Sequence, residues 1–159
     1  MRVSQKGYDM TRQDEAIKLL KDIRHISHII EVAEEEISRL YTALTSTTIK
    51  AKEVDVQTSI NLDPLGDKMA KIIEYQEKLK KYHFELLTKK GIALDILKTM
   101  DAEEQEVLLL RYFKGLTVEA TADELDMSYY GTWKKLCRVE EHFCEKYAEL
   151  IEVDINPMV

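Results

Sequence analysis

The sequence predicts an all-α protein in which two long antiparallel, coiled-coil-like helices precede a group of three shorter helices. Gly and Pro are scarce, at five and two residues, while charged residues make up 33% of the chain, and this composition is typical of long helices. Apolar residues recur in alternating steps of three and four over two long stretches. Capping and turn residues then divide the C-terminal region into short helices.

The first long helix is predicted to begin near Ala16. From there to Leu44 its apolar residues follow four heptads of a coiled-coil seam. The rest of its surface is charged, including three consecutive glutamates at 34–36, and is expected to face solvent. Residues before about Asp14 show no periodicity, so we expect a loose arm there. The seam consists of Ala16, Leu19, Ile23, Ile26, Ile30, Ala33, Ile37, Leu40 and Leu44.

A connection at residues 45–66 separates the two long helices. It begins with a cluster of Ser and Thr residues and ends with the turn-forming sequence NLDPLG at 61–66. A connection of about twenty residues is long for a compact domain. We therefore expect it either to pack across the helices or to move.

The second long helix carries a seam from Leu65 to Met100 that includes a row of polar residues. Gln76, His83 and Lys90 recur at every seventh position, and we expect this row to lie at the margin of the seam or to fix its register. Further apolar residues widen the other side of the stripe, so the helix is expected to bury a broad face. These widening residues are Ile73, Leu87 and Leu94.

Residues 1–100 are therefore predicted to form a long-helix hairpin that serves as an oligomerisation region. Pairing of the two helices within one chain is the simplest arrangement. An intermolecular coiled coil through the same seams is the alternative.

Capping and turn residues define the three shorter helices. Asp101 is a suitable N-cap for the first of them, which is expected to stop at Lys114–Gly115. Thr117 is placed to cap a short second helix. Asp126–Met127 is expected to form a tight turn, and Ser128 is placed to cap the third helix.

The third helix has two different faces. Tyr130, Lys134 and Arg138 fall nearly opposite its apolar residues. A short helix, a tight turn and a longer helix with a basic outer face is the helix-turn-helix arrangement that lays a recognition helix in the major groove. Residues 101–147 are therefore predicted to form a helix-turn-helix domain, and residues 148–159 a tail that docks on the helices or hangs loose. The apolar face comprises Thr132, Leu136, Val139 and Phe143.

The same region resembles region 4 of sigma-70-family factors. The sequence LLLRYFKGLT at 108–117 is followed by an Ala-x-x-Leu-x-x-Ser pattern at Ala122, Leu125 and Ser128, and the apolar residues of the third helix continue the similarity to Phe143 without a gap. Several punctuating residues agree at once, which makes this resemblance more specific than a general helix-turn-helix pattern.

Three positions depart from the pattern of that family. Ala120 stands where the family usually has Glu, Thr121 where it has an aliphatic residue, and Asp126 where it has Gly. The missing Glu removes a capping-box partner for Thr117, and Asp in a left-handed turn is less favourable than Gly. We expect the fold to tolerate these changes.

With its long-helix N-terminal half, the chain resembles phage and prophage transcriptional regulators of the ArpU/RinA type. The resemblance implies a sequence-specific, sigma factor-like regulator that activates late phage genes and binds double-stranded DNA in the cytoplasm of the host bacterium. It implies contact with RNA polymerase through the first helix of the domain, at Leu109 and Tyr112. A homodimer is favoured, in which the long helices set the half-site spacing.

The resemblance also places individual residues on DNA. Tyr129, Tyr130 and Lys134 match positions that read bases, because tyrosine can contact thymine methyl groups and lysine can reach guanine acceptors. Tyr129 could instead lean into the core, and Trp133 is expected to pack against the long helices. Contacts with phosphate, or a close approach to DNA, are predicted for Thr117, Ser128, Gly131, Lys135 and Arg138.

The C-terminal region is acidic. From Asp101 onward it has fourteen acidic and six basic residues, a net charge of −8, whereas the preceding residues have a net charge of +1. Because DNA affinity comes largely from phosphate neutralisation, the domain is expected to need a partner or several copies to hold DNA. Two alternatives stay open: a small terminase subunit that binds DNA as an oligomer, and a sigma-like decoy that docks on RNA polymerase without touching DNA.

The sequence contains no pattern typical of an enzyme or of a cofactor or metal site. His25 and His28 are interpreted as surface residues, since a metal site needs three or four convergent ligands. Cys137 and Cys144 are interpreted as two half-buried thiols, outside any disulfide or zinc framework. No stretch approaches the roughly 20 apolar residues of a membrane span, and there is no signal-peptide pattern. We therefore expect a cytosolic, non-enzymatic protein without cofactor or metal.

Overall fold

The computed structural model describes the backbone of residues 3–53 and 63–155, and the side chains of residues 11–46 and 65–153. Every regular element within these residues is helical, which confirms the all-α class. None of these helices combines the length and the apolar character that a membrane span needs. The elements are α1 (Val3–Glu53), α2 (Asp63–Leu97), α3 (Ala102–Leu108) with a following π-helical turn (Leu109–Phe113), α4 (Val118–Glu124) and α5 (Tyr129–Ile155).

Three helices extend beyond their predicted limits. Because α1 begins at Val3, the loose arm expected before Asp14 is wrong. Residues 45–53 belong to α1 and 63–66 to α2, so the predicted connection at 45–66 is too long at both ends; its middle, 54–62, lies outside the described residues. Helix α5 continues through residue 155, so the tail predicted at 148–159 is helical up to that point, and its last four residues are not described.

Ser and Thr residues near the end of α1 led to the prediction of a connection from residue 45, but the helix continues through them. The hydroxyls of Thr42, Thr45 and Ser46 each donate to the carbonyl oxygen four residues earlier, at 2.9, 2.9 and 2.7 Å. This back-bonding satisfies the hydroxyl within the helix, so these residues do not need to leave it.

The chain divides into two compact units, which share α1 and α2. The smaller unit is residues 28–85, and the larger unit combines residues 1–27 with 86–159. In the smaller unit, His83 Nε2 lies 3.7 Å from Glu34 Oε1, and Gln76 Nε2 donates to Tyr41 Oη at 3.5 Å. Advancing along α1 therefore means moving back along α2, and this confirms the antiparallel pairing. Among the described side chains of this unit, the buried apolar residues are Ile30, Ile72 and Leu79.

Two residues of the polar row of α2, Gln76 and His83, lie at the margin of the smaller unit, which is one of the two positions predicted for the row. Gln76 and His83 are exposed and face polar partners on α1, and neither enters the buried row. The wider apolar stripe is not buried within one chain, since Ile73, Leu87 and Leu94 are 51%, 72% and 42% exposed. The single chain covers only the narrower row of α2, because a neighbour on one side of a helix buries a limited arc.

The larger unit has one hydrophobic core, to which α1, α2, α3, the π-helical turn and α5 all contribute. Among the described residues, the largest fully buried side chain is Phe143 of α5, at 0% exposed. The core residues are Ala16, Leu19, Leu20, Ile23, Ala93, Ile96, Leu97, Met100, Val107, Leu108, Tyr112, Leu136, Val139, Phe143 and Cys144.

Polar contacts join the same helices at the edge of this core. Asp22 of α1 accepts from Lys89 of α2 at 3.1 Å, and Arg12 of α1 donates to Glu152 of α5 at 2.9 Å. Because these pairs are partly exposed, each is expected to contribute no more than about 1 kcal/mol. Their main effect is to fix the register of the helices.

The π-helical turn closes α3 and buries Tyr112. The Lys114 N–H donates to the Leu109 carbonyl five residues back, at 2.8 Å, which is the π-type bond. Tyr112 is 5% exposed, and its hydroxyl donates to the Glu140 carboxylate on α5. Burial, together with this contact, raises the pKa of Tyr112 well above its ordinary value. The hydroxyl therefore stays protonated and can keep donating.

Replacing Tyr112 by Phe tests this buried contact. We expect the free energy of unfolding to fall by about 1–3 kcal/mol, because the half-buried Glu140 carboxylate loses a donor. Urea unfolding followed by circular dichroism measures the change. Tyr130→Phe is the matched control: its side chain is 61% exposed, so we expect a change within about 0.5 kcal/mol. Equal effects of the two substitutions would show that the Tyr112–Glu140 bond does not stabilise the fold.

Candidate nucleic-acid interface

Helices α4 and α5 form a helix-turn-helix through a tight turn at residues 125–128. Asp126 adopts φ = 55°, in the left-handed region that the sequence analysis expected. The Met127 N–H donates to the carbonyl of Ala122 at 2.9 Å and so closes the end of α4. The turn therefore sets where α5 begins.

Hydroxyl caps start both helices of the motif, as predicted. The side-chain oxygens of Thr117 and Ser128 each accept from the backbone N–H three residues later, at 3.1 Å in both cases. Four residues after each cap stands a fully buried threonine, Thr121 or Thr132, whose hydroxyl donates to the carbonyl of the cap at 2.8 or 2.9 Å. The polar departure from the sigma pattern at 121 is thus satisfied internally.

Gly131 has a structural reason next to the second cap. A Cβ atom at this position would lie 3.0 Å from the Ser128 side-chain oxygen and 3.6 Å from the end of the Met127 side chain. Glycine therefore leaves room for the cap. A close approach of DNA at this glycine stays a prediction.

The amino half of α5 presents three aromatic residues to solvent. Tyr129, Tyr130 and Trp133, which we call the aromatic face, are 53%, 61% and 46% exposed. The rings of Tyr130 and Trp133 are stacked, with centroids 6.2 Å apart and planes inclined by 18°. Lys134 Nζ lies 4.7 Å from the Tyr130 ring centroid, within the range of a cation–π contact.

This arrangement corrects two expectations. Tyr129 does not lean into the core, and Trp133 is not packed away against the long helices. The buried row of α5 runs through Thr132 and Leu136, and Trp133 lies about 100° around the helix from Thr132. That rotation carries the indole to the exposed side, beside Tyr130. The i, i+3 spacing of these two rings was the signal that could have identified Trp133.

The cations of α5 are not equivalent. Lys134 and Arg138 are exposed, and among the described residues Arg138 makes no ion pair. The Lys135 side chain is only 19% exposed, and its Nζ lies 3.7 Å from Glu103 Oε2 on α3. The geometry therefore favours Lys134 and Arg138 as contacts with an external anion. The ammonium group of Lys135 lies beside the Glu103 carboxylate of the same chain instead.

Acidic side chains lie before and after the exposed residues of the amino half of α5. Glu124 and Asp126 are exposed at the turn, and Glu141 and Glu145 are exposed further along α5. These carboxylates would repel phosphates. Within the described part of α5, exposed aromatic rings and exposed cations occur together in the amino half of the helix.

The two residues predicted to touch RNA polymerase, Leu109 and Tyr112, are partly or fully buried in the core of the larger unit. Tyr112, at 5% exposed, cannot form a surface contact, so that prediction was wrong; the π-helical turn rotates its ring onto the core. Leu109 is half-buried and packs against the core. The neighbouring Arg111 donates to the carbonyl of Leu116 in its own loop, at 2.8 Å.

The two cysteines differ in their surroundings. Cys144 is buried, and its thiol donates to the Gln13 carbonyl at 3.8 Å. Burial, aided by nearby carboxylates, raises the pKa of Cys144 to about 11. Cys137 is exposed, so only one of the two thiols predicted to be half-buried is shielded. Within the described part of the chain, no three potential ligands come together as a metal site.

Comparison with known proteins agrees with the motif. A family model described as sigma-70, region 4, matches residues 90–142. The match covers α3, α4 and the amino half of α5, and it begins inside α2, ahead of the domain start predicted at residue 101. No curated protein and no solved structure matches the chain. The chain therefore carries a sigma-70 region 4-like helix-turn-helix domain, of the kind found in DNA-binding regulators.

The strained turn residue provides a test of the motif. We expect Asp126→Gly to raise the free energy of unfolding by up to about 1 kcal/mol, because a left-handed conformation costs a residue with a side chain about 1–2 kcal/mol and the greater freedom of glycine in the unfolded chain offsets part of this gain. Thermal unfolding measures the change. Asp126→Asn removes the charge and keeps the side-chain shape, so it should change stability less. An equal gain from both variants would make the charge, and not the backbone, the cause.

Proposed function

We propose that the protein is a phage-type, sequence-specific DNA-binding transcriptional regulator, which inserts the amino half of α5 into the major groove. It acts in the bacterial cytoplasm and activates late genes together with RNA polymerase. The observation that supports this most directly is the exposed surface of Tyr130, Lys134 and Arg138 on the second helix of a sigma-70 region 4-like motif.

The exposure and the charges of the residues along α5 agree with its insertion into the major groove. In helix-turn-helix proteins the first residues of the recognition helix meet the base edges, and here those residues are exposed while the row behind them is buried. Lys134 and Arg138 supply charge for phosphates or guanine. The carboxylates at Glu141 and Glu145 restrict the approach to the first turns of the helix.

Two substitutions on α5 test the proposal. We expect Lys134→Ala combined with Arg138→Ala to weaken binding to the preferred DNA by roughly thirtyfold or more, since each contact is worth about 1–3 kcal/mol and the two losses add. The preferred sequence is obtained by selecting bound duplexes from random DNA, with and without RNA polymerase. Lys146→Ala is the matched control, because Lys146 lies on the carboxyl half of α5 and pairs with Glu149 at 3.5 Å.

A sigma-like decoy that docks on RNA polymerase without touching DNA is the second candidate. The net charge of −8 from residue 101 onward favours it, because an acidic domain neutralises few phosphates. The same double variant separates the two functions. Unchanged DNA binding together with unchanged promoter activity would support the decoy and contradict the regulator.

We further propose that the protein works as a homodimer. Leu87 and Leu94 of α2 lie two helical turns apart and are 72% and 42% exposed, and a second copy would cover them in the manner of a coiled-coil seam. A dimer would also supply the second copy of the recognition helix that a weakly cationic domain needs.

Light scattering of the full chain tests the oligomer. We expect a mass close to twice 18.5 kDa, and Leu87→Asp should shift it towards the monomer, since a buried carboxylate without a partner is costly. Lys81→Asp places the same group on another exposed face of α2 and should leave the mass unchanged. A ring of many subunits would instead favour a small terminase subunit, and a wild-type monomer would exclude the dimer.

A further inference from the structure

The aromatic face is the one exposed apolar surface at the start of α5, and the proposed function does not by itself explain it. We infer that this protein reads its DNA chiefly through the methyl groups of thymine, and that Trp133 and Tyr130 make those contacts. The inference rests on the proposed function and adds to it the class of base that is recognised and a specificity-determining residue, Trp133.

The chemistry of the major groove leads to thymine. Its only apolar feature is the C5-methyl group of that base, and large apolar side chains bury most favourably against apolar groups. Adenine is usually read by Asn or Gln, and guanine by Arg or Lys. Residues 128–138 contain neither Asn nor Gln. The exposed side chains of this segment therefore offer aromatic rings first.

The rings are held in place before DNA arrives. The stack between Tyr130 and Trp133, at 6.2 Å and 18°, restricts both side chains, and Lys134 lies against the Tyr130 ring at 4.7 Å. Because little side-chain freedom remains to be lost on binding, apolar contacts at this position are more favourable than contacts made by flexible side chains. Lys134 keeps its charge beside the rings, where a guanine or a phosphate can reach it.

The small number of exposed cations on α5 also favours recognition through apolar contacts. Lys134 and Arg138 are its two exposed cations on α5, since Lys135 is directed to Glu103. With two phosphates neutralised per motif, the logarithm of affinity should fall with the logarithm of salt concentration at a slope of only about −2. Specific binding by such a surface must come largely from contacts other than ion pairs, and the aromatic face supplies them.

The occupant of this surface is DNA, and not a protein partner, because the aromatic face lies on the helix that the sigma-70 region 4 model covers and shares its outer side with Lys134 and Arg138. Coverage by a protein remains a distinct outcome of the experiment below.

The experiment uses the full chain and the duplex that it selects from random DNA. Each thymine is replaced in turn by deoxyuridine, which removes the methyl group and keeps the hydrogen-bonding pattern. We expect affinity to fall about fourfold for each contacted methyl group, the factor for one buried methylene. Trp133 is the single tryptophan of the chain, so its fluorescence should change when the thymine duplex binds.

Variants assign the contact to the residue. Trp133→Ala should abolish the difference between thymine and uracil at one or more positions, and Tyr130→Ala should do so at neighbouring positions. Val153→Ala, at an exposed apolar residue of the same helix, is the control and should keep the difference. Because Trp133 is half-exposed, circular dichroism is expected to show a folded variant, and Trp133→Phe provides a milder change of the same ring.

The outcomes separate this inference from the proposed function. If the protein selects a sequence and depends on Lys134 and Arg138, but uracil substitution and Trp133→Ala have no effect, the regulator stands and the thymine reading is wrong. If no sequence is selected, both are wrong. Binding to RNA polymerase that Trp133→Ala weakens, with DNA binding unchanged, would assign the aromatic face to a protein and overturn the inference.

Discussion

The side chains that can meet a nucleic acid depend on one buried row of α5. Thr132, Leu136, Val139 and Phe143 are between 0% and 6% exposed, and they fix the rotation of the helix about its own axis. A rotation by one residue, about 100°, would bury Trp133 and expose Val139. Close packing in the core resists such a change, because cavities and overfilled sites both destabilise the fold. The outward-facing surface of α5 is therefore specified by side chains that are themselves buried.

Two buried threonines connect the starts of α4 and α5 to the residues that cap these helices. Thr121 and Thr132 each return a hydrogen bond to the carbonyl of the residue that caps their helix. Each helix of the motif thus starts with a closed pair of interactions, one from the capping oxygen and one to its backbone. An aliphatic residue at either place would fill the same space, but the cap carbonyl would lose one of its two donors and keep only the backbone N–H. The hydroxyls of both buried threonines have hydrogen-bond acceptors, and the bond of Thr132 helps to fix the residue at which α5 begins.

Local signals in the sequence identified the elements of the C-terminal region well. Thr117, Ser128 and the left-handed Asp126 were recognisable because capping and turn chemistry act over three or four residues. The outer residues of α5 followed from helical periodicity. The contacts that depend on tertiary packing were not accessible in this way. Tyr112 was expected on the surface because a π-type turn cannot be seen in the sequence, and Trp133 was expected inside because its angle lies between the two faces. The long helices were placed correctly as a pair, but their limits were missed where Ser and Thr side chains bond back to the helix.

Residues 16–23 of α1 and the last residues of α2 complete the core on which the helix-turn-helix rests. Ala16 and Ile23 come from one end of the chain, Ala93 and Leu97 from the middle, and they meet Val139 and Phe143 from the other end. A fragment cut at residue 101 would leave half of that apolar interior open to water. The helix-turn-helix of this protein is consequently not a unit that can be transplanted alone. Its outer surface is changed more easily by exchanging side chains on the outside of α5 than by moving the motif into another chain.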